Sequence, residues 1–140
     1  MSIKERWKRY KEIPDNLHER IEMLGNFFRQ KGIHLAYLFG SAIRGNGNDV
    51  DIAVLYDGDI SELRLEIQEI LGTWRVDLVN LKVAPLHICF EIISTGKLVH
   101  KVDDETENNF EMLIIKKYQD SEPIRAKYFE LLRRNLGIGI

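Results

Sequence analysis

The chain has 140 residues, 44% hydrophobic and 30% charged, with a formal net charge of -2. That is one domain's length, enough to bury a core without disulfides or a structural metal, and the near-neutral balance gives no electrostatic drive toward general nucleic-acid or anionic-membrane binding. A lone cysteine, Cys89, excludes an intrachain disulfide framework. No apolar run is long enough to span a membrane and the N-terminus lacks an apolar signal region, so a cytoplasmic protein is expected.

The basic cluster Lys4, Arg6, Lys8, Arg9 and Lys11 is diluted by Glu5 and Glu12 and reads as the solvated face of an N-terminal helix. A second helix is predicted over residues 13–32, with Leu17, Ile21, Leu24 and Phe28 at helical spacing, Pro14 near its start and Gly32 closing it. The apolar run "IHLAYLF" predicts a buried strand, and "DVDIAVLY" a second one. The short turn "AIRGNGN" between them makes them antiparallel neighbours.

Further along, "DISELRLEIQEILG" predicts a helix. Asp59 caps it, Glu62 stands at the capping-box position, and Ile60, Leu63, Ile67, Ile70 and Leu71 form its stripe. "WRVDLVNL" is a third strand, and the strand–helix–strand order implies a parallel pair with a right-handed crossover. A short helix follows Pro85, carrying Cys89 as a small core residue. "KLVHKV" is a last strand.

Two C-terminal helices complete the pattern. The first has Phe110, Leu113, Ile114 and Ile115 on its apolar face with Tyr118 beyond. Pro123 divides it from the second, where Ile124, Tyr128, Leu131 and Leu132 are expected to point inward. The class is α+β, a small mixed sheet packed with helices. The four histidines show no metal-ligand spacing, and Trp74 reads as core or edge packing.

The unusual feature is a pair of carboxylates in an apolar strand. Alternation puts Asp49 and Asp51 on one face, where they repel each other and where burial raises the cost of their charge. An exposed strand end, a pairing arginine or a bound divalent cation each resolves this, and on spacing alone the exposed end is as good a reading as the cation. Asp77, inside the apolar strand that the crossover lays beside the second, shifts the balance toward a metal site for phosphoryl or nucleotidyl transfer. Gly40-Ser41 ends the first strand. A glycine there lets backbone N–H groups approach a phosphate, although such pairs are most often simple turns. Arg44 is a candidate second phosphate contact and equally an exposed turn residue.

Taken together, "LFGS…DVDIAVL" and "VDLVNL" resemble the polymerase-β-like nucleotidyltransferases, and more closely the minimal nucleotidyltransferases of the antitoxin branch. The segment after Asp77, through "KLVHKVDD", and the C-terminal "YQDSEPIRAKYFELL" are similar to that branch too, so the likeness covers about residues 15 to 135. It implies one nucleotidyltransferase domain over 1–140, with a core of about 15–102 and C-terminal helices over about 104–136.

In that family's pattern, Asp49, Asp51 and Asp77 would bind Mg²⁺, with Asp77 helping to activate the attacking hydroxyl. Gly40 and Ser41 would hold the nucleotide phosphates. The implied reaction is transfer of AMP from ATP to a tyrosine of a partner HEPN-type ribonuclease toxin, in a hetero-oligomer with it. One departure stands out: seven residues separate Ser41 from Asp49, about three fewer than the commonest family spacing. A shorter turn bears on nucleotide affinity more than on metal binding. The alternatives are an antitoxin of weak or no activity that acts by binding its partner, and a nucleotidyltransferase acting on RNA or a small molecule.

Overall fold

The computed structural model describes residues 15–40 and 49–136. The basic N-terminal segment, residues 41–48 with Ser41 and Arg44, and the closing residues 137–140 lie outside them. In chain order the elements are α1 (Leu17–Gln30), β1 (Leu35–Phe39), β2 (Val50–Leu55), α2 (Ile60–Leu71), β3 (Val76–Asn80), α3 (Leu86–Thr95), β4 (Lys97–Lys101), α4 (Asp104–Asp120) and α5 (Glu122–Leu136).

The strands make one mixed sheet in the order β3-β2-β1-β4. β1 runs antiparallel to both β2 and β4, and β2 runs parallel to β3 across the α2 crossover. Strand alternation splits the core into two layers. Ala36, Leu38, Val50, Ile52 and Val54 face Leu24 and Phe28 of α1 and Leu63, Ile67 and Leu71 of α2. Leu35, Tyr37 and Ala53 face Cys89 and Ile92 of α3 and Ile114 of α4. Helices thus cover both faces, which is why β1 is buried along nearly its whole length.

Local signals set the element ends. The Asp59 carboxylate accepts from the Ser61 amide at 2.8 Å, and Gly72 closes α2 at φ 71°. The N-cap bond runs to the second residue of the helix, not to Glu62 at the predicted capping-box position. Asp103 caps α4 by accepting from the Thr106 amide at 2.7 Å. Asn80 ends β3 buried, its Nδ2 donating to the Tyr56 carbonyl at 2.9 Å, which ties the ends of the parallel strands together. His100 is buried against the Ile33 carbonyl at 2.9 Å, a structural role. Burial pushes the Cys89 thiol pKa up, which keeps it protonated in its core position.

The C-terminal pair departs from the sequence reading. Phe110 and Ile114 turn inward, but Leu113 and Ile115 are exposed, and in α5 Ile124, Tyr128 and Leu131 are exposed as well. No α5 side chain is buried; Leu132 is only half-covered. The cause is the junction. Only Ser121 separates the two helices, and Pro123 has no N–H to continue the ladder of α4. The Tyr118 carbonyl is satisfied instead by the Ser121 hydroxyl at 2.7 Å and by Arg125 at 2.8 Å. Arg125 also lies 3.7 Å over the Tyr118 ring, which stacks on Phe90 at 3.8 Å. α5 therefore touches the rest of the fold chiefly through α4.

Candidate active site

β2 and β3 begin side by side, and their parallel register sets Asp51 directly against Asp77. Both alternate with residues that pack on the α3 and α4 side, Ala53 and Val79. Those helices sit over β1 and β4, so the start of β2 and β3 stays open. Asp51 is half-buried, and Asp49, one residue before β2, is exposed. The Asp77 carboxylate is 65% exposed.

Electrostatics single out Asp51. Its pKa is raised, first by burial, then by the charges of Asp77 and Asp49, and by a hydrogen bond with Asp77. That hydrogen bond and the mutual repulsion both favour the protonated form of Asp51. A hard divalent ion fits this donor set: Asp51 and Asp77 converge and Asp49 flanks them, and Mg²⁺ takes only one or two protein carboxylates beside its water and phosphate ligands. The expected trio is looser than a closed cage. Among the described residues no three His, Cys, Asp or Glu side chains come together as a ready ligand set.

Gly40 closes the site on the β1 side. Its φ is +69°, a conformation that suits glycine. A Cβ placed there would run into the Asp51 carboxylate, with its Cγ only 3.3 Å away. Phe39 pairs with Asp51 across the β1–β2 ladder, so the end of β1 is pressed against the acid. Backbone and carboxylate meet as a phosphate and its metal would require. Ser41 and Arg44, the other two expected phosphate contacts, lie outside the described residues.

On the other side stands Arg64, which sequence reasoning passed over. It projects from α2, half-exposed, with a guanidinium nitrogen 4.0 Å from Asp77 Oδ1. Nothing in its local pattern marks it. Only the strand–helix–strand crossover, which folds α2 back along the β3 edge, brings it to the acids.

The model of the polymerase β nucleotidyltransferase family matches residues 22–105. The chain belongs to that family. Solved structures agree: a toxin–antitoxin complex with AMP-PNP is similar at 27% identity and TM-score 0.67, over 81% of this chain and 97% of that one. A complex of tri-AMPylated Shewanella oneidensis HEPN toxin with its MNT antitoxin is similar at 25% identity and TM-score 0.67, over 83% and 98%. A MntA–HepT toxin–antitoxin structure is similar at 25% identity and TM-score 0.65, over 82% and 97%. No curated protein matches the chain. Among the described residues, no helix of this nucleotidyltransferase is long and apolar enough to cross a membrane.

Proposed function

We propose that this nucleotidyltransferase is the antitoxin of a toxin–antitoxin pair, transferring AMP from ATP to a tyrosine of a HEPN-type ribonuclease in a Mg²⁺-dependent reaction that silences the toxin. The observation that carries this reading is the row formed by Gly40, Asp51 and Asp77: a backbone approach point, then two facing carboxylates on adjacent parallel strands. Support comes from the family and from similar structures that contain AMP-PNP or an AMPylated toxin.

Asp49, Asp51 and Asp77 would hold the cation. Bound there, Mg²⁺ would neutralise charge on the triphosphate and lower the pKa of the acceptor hydroxyl. The remaining work belongs to the chain. Gly40 and Ser41 offer backbone N–H groups and a hydroxyl to the phosphates, with Arg44 as a second contact. Asp77 takes the acceptor proton, directly or through water. The acceptor oxygen forms a bond to the α-phosphorus as the bond to pyrophosphate breaks on the opposite side, so the protein's main task is alignment.

The test is to incubate the folded protein with Mg²⁺, ATP and the adjacent gene's product and weigh both chains. A gain of one or more AMP units on the partner is expected, and no gain overturns the reading. An Asp49→Ala, Asp51→Ala double variant should lose both the modification and the neutralisation of the toxin. Full neutralisation by that variant would instead favour an antitoxin that acts by occlusion.

A further inference from the structure

We propose that Arg64 is an acceptor-binding residue: its guanidinium grips an oxygen of the incoming protein chain and sets the acceptor hydroxyl over Asp77. This rests on the nucleotidyl-transfer reading above and adds the direction of approach and a residue that governs it.

The argument is one of order across the sheet. Gly40 is pressed against Asp51, Asp51 faces Asp77, and Asp77 faces Arg64. β3 is an edge strand, so this row runs from the interior of the sheet to its rim. In-line transfer requires the entering and leaving oxygens to lie on opposite sides of the α-phosphorus. With the phosphates seated at the Gly40 end, pyrophosphate leaves on that side and the acceptor must enter from the β3 rim. Arg64 stands at that rim on the neighbouring helix, and a chain delivering its hydroxyl to Asp77 passes within its reach.

Its chemistry suits the task. The side chain is 50% exposed, and the 4.0 Å separation from Asp77 exceeds hydrogen-bond length, so this ion pair leaves its donors available to a substrate. A guanidinium presents a rigid fork that matches a carboxylate or engages a main-chain carbonyl. Arg64 is also exposed, and it is Leu63, Ile67 and Leu71 that α2 buries in the core. Its replacement is therefore expected to leave the fold intact.

Arg64→Ala, Arg64→Lys and Arg64→Glu should be compared with the wild type in Mg²⁺-dependent AMP transfer to the purified partner. Affinity for a non-hydrolysable ATP analogue should be measured alongside. The expected result for Arg64→Ala is a KM for the partner raised roughly tenfold or more, with analogue affinity within about twofold of wild type. Arg64→Lys should recover part of the loss, and Arg64→Glu should be worse than Arg64→Ala. If the contacted oxygen is a carboxylate, the KM of the wild type rises with salt and that of Arg64→Ala does not. If it is a carbonyl, both respond alike. An unchanged KM for the partner overturns the proposal. So does a parallel loss of analogue binding, which would make Arg64 a nucleotide contact. Absence of transfer by the wild type would instead sink the function itself, and Arg64's role with it.

Discussion

At the scale of single residues, Gly40 and Asp51 constrain each other. Gly40 holds φ at +69° with its α-carbon turned toward the Asp51 carboxylate. Gly40→Ala carries two penalties: a left-handed backbone for a residue with a Cβ, costing about 1–2 kcal/mol, and a methyl where the carboxylate lies. Urea unfolding of Gly40→Ala should show that loss of stability, and AMP transfer should fall by about 100-fold or more, since a displacement of about 1 Å in such sites has that effect. Asp51 has the opposite character, with a proposed chemical role at odds with folding. Its raised pKa means that the native state holds the proton more tightly than the unfolded chain does. Stability from this group is therefore present below the unfolded pKa of an aspartate and is lost as pH rises through the raised native value. In metal-free buffer at neutral pH, Asp51→Asn should raise the urea midpoint, corresponding to a stability gain of up to about 1 kcal/mol after solvent screening. The gain should shrink or reverse when Mg²⁺ is added. A midpoint that falls in metal-free buffer would show that the acid is not held against repulsion.

Among the elements, α2 and α5 show what sequence periodicity measures and what it does not. The stripe of α2 became core, because a strand–helix–strand crossover leaves that face only one place to go. The stripe of α5 has the same spacing, yet Ile124, Tyr128 and Leu131 remain exposed. Period identifies an amphipathic face; the connection decides what covers it, and the proline junction sends α5 off the end of α4. The two helices should respond very differently to damage. Ile67→Ala should cost about 2–5 kcal/mol, the usual range for a fully buried aliphatic side chain. Ending the chain after Ser121 removes no buried side chain among the described residues, so it should shift the thermal midpoint far less than Ile67→Ala does. A truncated chain that fails to unfold cooperatively would mean that α5 supports the core after all.

For the whole molecule, the strands, the mixed sheet and the facing of Asp51 with Asp77 were legible, because apolar runs, alternation and crossover handedness act through the backbone. Arg64 was not, since its place depends on how α2 lies against the β3 edge. The result is a site whose parts come from different segments, Gly40 at the end of β1 and the facing acids at the start of β2 and β3. Under the proposed function, such a site would bind its ligands as a set. On that reading, repulsion among the acids would oppose nucleotide binding until a cation offset it, and the nucleotide's own oxygens would complete the cation's shell. Mg²⁺ and an ATP analogue should therefore stabilise the protein together by more than the sum of their separate effects. Saturation at about 100 times the dissociation constant corresponds to about 2.7 kcal/mol. Thermal unfolding with each ligand alone and with both checks this. In the Asp49→Ala, Asp51→Ala variant the synergy should vanish while any weak effect of nucleotide alone persists. Equal synergy in that variant would place the cation on the triphosphate alone and remove these acids from its shell.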